Sequence, residues 1–170
     1  YDYREEWLRF IRTMSDVEGA GDLHRRVIQA TCDILDAPGG MLWLKGEEDG
    51  RFLPLHSWNM RSLAGLSEES ITPFIAFLSK QQWVVDLNEF KSNPERYPAL
   101  QLPIWAKDDD SLWLLLPLLH HDDLMGFLAV SQPRAPRTLN WEDHDLLKTV
   151  GRQAASYIAE HASQEALSQA

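Results

Sequence analysis

One stretch of the sequence, residues 111–132, constrains the fold more than any other. It reads SLWLLLPLLHHDDLMGFLAVSQ, in which two apolar runs, Leu112–Leu119 and Leu124–Val130, flank the polar residues 120–123. Apolar runs of this length joined by a short polar segment predict an antiparallel β-hairpin. Because neither run alternates apolar with polar residues, both faces of these strands should be covered, which places the hairpin in the middle of a sheet.

The remaining elements follow from local patterns. Apolar residues at helical spacing predict a helix over residues 1–14, a second helix with its N-cap at Asp22, and a final helix that begins at Asn140. Thr72-Pro73 predicts the N-cap and first position of a short helix. Strands are expected at 41–44, 52–58 and 83–85, and the proline-containing segment 86–110 is expected to be an irregular, packed cover. This order predicts an α+β fold with an antiparallel sheet.

Composition narrows the function classes. A chain of 170 residues, 44% of them hydrophobic, fits one globular domain. The net charge of −10 argues against a nucleic-acid partner or an anionic membrane surface, both of which require clustered Lys and Arg. No apolar run is long enough to insert into a membrane. We expect residues 1–16 to be a linker helix, 17–160 the domain, and 161–170 the start of a connector to an output domain outside this sequence.

Candidate catalytic and metal sites are weak. The adjacent residues of the HHDD segment at 120–123 point apart in a tight turn, which favours a solvated turn over a metal site. His161 and Glu165 lie one helical turn apart but lack the HExxH arrangement. Cys32 lies on an apolar helix face, where a thiol is usually unreactive. The sequence therefore predicts no catalytic residue, no metal and no cofactor.

Aromatic residues on or beside the predicted strands and cover carry the main binding hypothesis. They either form the core or line a small-molecule pocket between the sheet and its cover, with His56 as a polar group. The candidate pocket residues are Trp43, His56, Trp58, Trp83, Trp105, Trp113 and Phe127. The ligand is unknown, and both alternatives stay open.

The final helix carries a heptad-like pattern. Apolar residues recur at 3-4-3-4 spacing from Leu147 to His161, beside a second stripe of small residues that begins at Gly151. One stripe can face the sheet while the other faces a second copy of the chain. We therefore predict a homodimer through a signalling helix. Its candidate residues are Leu147, Val150, Ala154, Tyr157, Ile158 and His161.

Four segments of the sequence carry a recognisable pattern, namely DLHRRVIQATCDILDAPGGMLWL at 22–44, SLWLLLPLL at 111–119, LMGFLAV at 124–130 and LNWEDHDLLKTVGRQAASYIA at 139–159. Together they resemble the GAF domain, a sensing and signalling module. The resemblance implies a PAS-related sheet of five to six antiparallel strands. It also implies that the N- and C-terminal helices cover one face and a helix/loop segment covers the other.

Two further segments, YDYREEWLRF at 1–10 and PERYPAL at 94–100, are similar to the GAF region of PrsK-type histidine kinases of PEP-CTERM/exosortase systems. That resemblance implies a cytoplasmic domain of a parent protein in the bacterial inner membrane, with a kinase core after the final helix. It implies a two-component sensory role for this chain and ATP-dependent autophosphorylation only for the kinase part.

The motifs of better-known GAF subfamilies are not present. The sequence lacks the NKxnFx3DE motif of cyclic-nucleotide GAF domains, and its one cysteine is neither placed for bilin attachment nor sufficient for a methionine sulfoxide reductase. The alternatives to a ligand-sensing kinase domain are a ligand-free dimerisation spacer, the sensory domain of a transcriptional regulator, and a reductase that works through Cys32.

Overall fold

A computed structural model describes residues 2–15, 19–61 and 72–169. The longer helices are α1 (Tyr3–Thr13), α2 (Ala20–Leu35), α3 (Pro73–Gln81) and α6 (Trp141–Gln169). Short helices α4 (Leu87–Ser92) and α5 (Ile104–Lys107) flank a 3-10 helix, Pro94–Arg96. The strands are β1 (Gly40–Lys45), β2 (Phe52–Trp58), β3 (Val85–Asp86), β4 (Leu112–His120) and β5 (Asp123–Ser131).

The five strands form one antiparallel sheet in the order β2-β1-β5-β4-β3. The hairpin of β4 and β5 therefore lies inside the sheet, as predicted, and every residue from Leu112 to Leu119 is buried. The α+β fold and the sheet predicted from the sequence are confirmed.

A separate core covers each face of the sheet. On one face, which we call the helix side, α1, α2 and α6 pack against side chains such as Leu42, Leu116 and Leu128. On the other face, the cover side, α3 and the segment 87–106 pack against Met41, Trp43 and Phe127 among others. The terminal helices thus share one face of the sheet.

Local signals fixed several helix ends. Thr72 Oγ1 accepts a hydrogen bond from Ile75 N at 3.3 Å, and Pro73 is the first residue of α3. At α6, Asn140 and Asp143 form a reciprocal capping box, with Asp143 N donating to Asn140 Oδ1 and Asn140 N donating to Asp143 Oδ2, both at 2.9 Å. Both N-termini were predicted.

Three expectations need correction. The helix α2 begins at Ala20 with Gly19 as its N-cap, because Asp22 uses its carboxylate in ion pairs with Arg25 and Arg26 inside the first turn. The third strand is shorter than expected and includes only Val85 of the predicted 83–85. The cover, which was expected to be irregular, contains three short helical segments, and the side chain of Asp86 caps the first of them. The boundary expected between residues 16 and 17 lies outside the described residues.

Candidate functional site

The cover side holds a packed cluster of aromatic rings. Trp43 stacks on Trp105 at 4.7 Å and on Phe127 at 5.2 Å between ring centroids, and Phe74 meets Phe127 edge-on at 5.3 Å. Trp43 and Phe127 are fully buried. Because these rings lie against one another, the faces in contact are not available to a ligand. Among the described residues, no group accepts a hydrogen bond from the buried Nε1 of Trp43.

Three other candidate pocket residues lie on the helix side of the sheet, namely His56, Trp58 and Trp113. The pairing of β1 with β2 skips Leu55, so that Leu42 lies opposite His56 and Trp43 opposite Pro54. A one-residue bulge of this kind reverses the face to which the following side chains point. Trp58 accordingly packs against the helix-side core. His56 is close enough to His24 of α2 to contribute, after burial, to lowering the pKa of that imidazole.

A second bulge, in β4, places Trp113 on the helix side of the sheet. The β4–β5 pairing passes from Leu112 to Leu114, and the unpaired Trp113 is fully buried in the helix-side core. The seven candidate residues are therefore divided between two faces of the sheet, and the structure does not bring them together around one cavity. Their role in ligand binding stays a prediction.

Trp83 is the candidate that borders a groove. It lies on the chain just before β3, which is an edge strand of the sheet. We call the space there the β3-edge groove; it has a volume of about 380 Å³. Its lining residues are Trp83, Val84, Glu89, Arg96, Tyr97, His144 and Lys148.

A hydrogen-bond network forms one wall of the β3-edge groove. The buried hydroxyl of Tyr97 donates to Glu89 Oε1 at 2.8 Å and accepts from Asp86 N at 3.1 Å. Arg96 Nη1 donates to Glu89 Oε2 at 3.2 Å. Burial raises the pKa of Tyr97 and, with less effect, that of Asp86, so the tyrosine stays protonated at neutral pH. These hydrogen bonds connect the side chains of Glu89, Arg96 and Tyr97 to one another and to the backbone at Asp86.

No local sequence pattern marks Lys148, Arg96 or Tyr97 as site residues. They lie on α6 and on the cover segment, which are far apart in sequence and meet only at the sheet edge. The one available signal was PERYPAL at 94–100, which contains Arg96 and Tyr97 and was noted only for its resemblance to a kinase family.

The candidate dimer residues of α6 are mostly internal. Leu147, Val150, Ala154 and Ile158 are buried in the chain's own helix-side core, whereas Tyr157 and His161 are partly exposed. Gly151, in the second stripe, packs so closely that a Cβ there would lie 2.7 Å from the carbonyl oxygen of Pro117. The buried residues of both stripes belong to the chain's own core up to Ile158, and of the candidate residues Tyr157 and His161 are the ones that a partner chain can contact in this arrangement. Their role in a dimer stays a prediction.

The polar segment at 120–123 is a two-residue hairpin turn. His121 and Asp122 both have positive φ, 52° and 65°, as a type I′ turn requires. Asp122 accepts a hydrogen bond from Arg152 of α6 at 3.1 Å. Within the described ranges, no three His, Cys, Asp or Glu side chains are grouped to hold a metal ion.

The thiol of Cys32 is buried at the centre of the helix-side core, and burial raises its pKa to about 12. At neutral pH it is almost entirely protonated, and a protonated thiol is a poor nucleophile.

None of the helices in the described ranges is long and apolar enough to cross a membrane.

Known proteins share this architecture. The family model described as GAF domain matches residues 19–159. The GAF domain of an Acinetobacter phosphoenolpyruvate-protein phosphotransferase superposes with a TM-score of 0.71 at 15% identity, covering 96% of each chain. The corresponding Coxiella burnetii domain gives 0.72, also at 15% identity and 96% coverage of each chain.

A methyl-accepting chemotaxis protein, residues 122 to 287, gives a TM-score of 0.65 at 18% identity over 92% of this chain and 98% of its own. No curated protein matches the sequence. The family model covers most of the chain, and the solved structures agree with it in fold. The chain belongs to the GAF domain family.

Proposed function

We propose that this GAF domain is the sensory and regulatory segment of a membrane-bound two-component histidine kinase, and that it relays a signal through its terminal helices as a homodimer. The similarity of residues 1–10 and 94–100 to PrsK-type kinases supports this context. In the proposal, a membrane region of the inner-membrane parent precedes α1, and residues 161–170 connect α6 to a kinase core that carries out the autophosphorylation.

The observation that carries the proposal is the placement of α1 and α6. Both lie on the helix side, and a groove of about 350 Å³ is lined by residues of both helices, including Trp7 and Trp141. A displacement of α1 can therefore act on α6 without crossing the sheet. A shift of one packed helix against another is a common way for signalling domains to switch.

The surface of α1 and α6 also offers a site for a second copy. Trp141 is 73% exposed, Leu167 is 76% exposed, and Leu8 of α1 is 45% exposed. Trp141 and Leu167 lie near opposite ends of α6, so they would contact a parallel partner helix at two places along its length and do not form one patch. We expect a parallel homodimer through this surface and through the partly exposed candidate residues Tyr157 and His161.

Cross-linking tests the dimer. Because Cys32 is buried and protonated, a cysteine introduced elsewhere is the only reactive thiol expected in the folded chain. Leu167→Cys should form a disulfide-linked dimer under mild oxidation. The matched control is Leu55→Cys on β2, which is 53% exposed but lies away from α1 and α6.

Equal cross-linking of both variants, or a strictly monomeric chain in sedimentation at high concentration, would contradict the dimer.

The kinase context has its own test. Sequencing of the gene downstream of residue 170 should give a phosphoacceptor histidine and an ATP-binding domain. An AAA+ or helix-turn-helix module there would instead support a transcriptional regulator.

A ligand-free dimerisation spacer is the second candidate, and the aromatic cluster supports it. Trp43, Trp105 and Phe127 occupy the space between sheet and cover with their rings stacked. Titration of metabolites while following tryptophan emission separates the two candidates. A spacer gives no saturable change with any of them.

A further inference from the structure

We propose that the β3-edge groove binds a small planar aromatic acid, with its ring against Trp83 and its anionic group on the ammonium of Lys148. This inference extends the sensory role proposed above by naming a site and a ligand class. It concerns the domain itself and holds whether or not the parent protein is a kinase.

The size and walls of the groove fit a single ring system. Its volume of about 380 Å³ lies within the range of small-molecule sites, roughly 300–1,000 Å³. Trp83 meets Phe77 at 77° and Tyr97 at 73°, with centroids 5.8 and 6.3 Å apart. These edge-on contacts hold the indole in one orientation, and a fixed aromatic wall costs little conformational entropy when a ring packs on it.

The charges of the groove select an anion. Both carboxylate oxygens of Glu89 are already occupied, one by the Tyr97 hydroxyl and the other by Arg96. Lys148 is exposed and forms no ion pair with any residue in the described ranges. The one unpaired full charge that lines the groove is thus positive, although the whole chain carries −10. An ammonium without a partner beside an apolar wall favours a ligand that combines a ring with an acid.

The position of the groove gives the ligand a regulatory effect. Lys148 belongs to α6, whereas Trp83, Glu89 and Tyr97 belong to the segment that leads into and covers the sheet edge. A ligand held by both sides would connect the cover to α6. It would stabilise the arrangement in which it binds by RT ln(1 + c/Kd), a free energy that rises with the ligand concentration c.

The test uses two dyes with the same ring system on the whole 170-residue chain. The probe naphthalene-2-sulfonate carries an anionic group on one planar ring system, and naphthalene-2-sulfonamide carries the same ring system without the charge. We expect saturable one-to-one binding of the sulfonate, followed by its fluorescence, with an affinity at least about ten-fold above that of the neutral dye.

Two charge variants locate the site. Lys148→Glu should weaken binding of the sulfonate by about ten-fold or more, because an attractive charge becomes a repulsive one, and should leave the neutral dye unchanged. Lys45→Glu, at an exposed position on β1, which β5 and β4 separate from β3 in the sheet, makes the same charge change elsewhere and should leave both affinities within about two-fold.

Equal loss of sulfonate binding in both lysine variants would overturn the proposal, because it would show an effect of net charge alone. So would absence of saturable binding, or binding of the neutral dye as tightly as the sulfonate. Lys148→Gln serves as a second variant if Lys148→Glu lowers the thermal midpoint. Because dye binding requires neither a dimer nor a kinase core, its failure is distinguishable from failure of the proposed relay.

Discussion

At the scale of single residues, Gly126 lies where the backbones of β1 and β5 approach closely. A Cβ at this position of β5 would be 2.1 Å from the carbonyl oxygen of Trp43 and 2.8 Å from Leu44 Cδ2. A separation of 2.1 Å from backbone cannot be relieved by a side-chain rotation, so the strands β1 and β5 would have to separate. The close approach, and not a turn, explains the glycine.

We expect Gly126→Ala to lower the free energy of unfolding by roughly 1–3 kcal/mol or more, the usual cost of overpacking. Urea denaturation measures it. Gly21→Ala is the matched control, since nothing lies within 4 Å of a Cβ there and alanine favours the helix α2. If both variants lost the same stability, crowding at Gly126 would not be the cause.

Asp86 gives the chain a pH dependence of stability. Burial raises the pKa of this carboxyl group, although hydrogen bonds from Asn88 N and Glu89 N partly oppose the shift. A pKa that is higher in the folded state means that the folded chain holds the proton more tightly. The contribution of Asp86 to stability is therefore full below its unfolded pKa of about 4 and is lost as the pH rises.

Asp86→Asn removes this loss and keeps an acceptor for the N-cap of α4. We expect the variant to gain stability relative to the original chain as the pH rises through and above the unfolded pKa of about 4, in urea titrations at several pH values. Asp145→Asn, at an exposed position of α6, is the control. A gain that is the same at every pH would contradict a titration of Asp86.

At the scale of elements, side-chain hydrogen bonds stabilise the first turn of α6 in addition to its own helix propensity. Asp143 closes the capping box with Asn140, and its Oδ1 accepts from Arg137 Nη2 at 3.0 Å. The Asp143 side chain is buried, and Arg137 also donates to the carbonyl oxygen of Ile34 at the end of α2. Asp143 therefore connects the start of α6 to α2.

Asp143→Ala should cost about 2–4 kcal/mol, the combined effect of a lost cap and of a partly buried guanidinium that loses its carboxylate. Glu142→Ala, one residue earlier and exposed, should change stability by less than about 1 kcal/mol. Thermal unfolding followed by circular dichroism compares the two. Similar effects of both substitutions would show that the capping box does not hold the helix.

At the scale of the whole molecule, α6 extends past the domain. It has 29 residues, roughly 43 Å at 1.5 Å per residue, and Ile158 is the last of them in the helix-side core. Residues 162–168 are exposed. The folded domain therefore does not need the end of this helix, which is free to serve an interaction.

Removal of residues 163–170 should change the free energy of unfolding by less than about 1 kcal/mol, because residues 163–168, whose burial the structure describes, are all exposed. In the same truncated chain, the homodimer proposed above should weaken measurably in sedimentation. Deletion of residues 2–13, which include the buried Phe10 in α1, is the contrasting variant and should destabilise the domain by several kcal/mol. A truncated chain that unfolds as easily as that variant would show that the end of α6 is part of the fold.

The sequence by itself determined the order and type of the main elements. Thr72-Pro73 and Asn140 mark helix starts through local hydrogen bonds, and the continuous apolar runs of β4 and β5 place that hairpin inside the sheet. Signals of this kind depend on neighbours in the chain, so they are present before any tertiary contact forms.

Only the tertiary structure decided which side chains meet. The bulges at Leu55 and Trp113 arise from the pairing between strands, and they carry His56, Trp58 and Trp113 to the helix side although no local pattern signals it. The β3-edge groove brings together Tyr97 and Lys148, which are far apart in the sequence because α5, β4, β5 and the start of α6 lie between them. Strand register and long-range packing thus determined the candidate site, because both depend on contacts between segments that are remote in sequence.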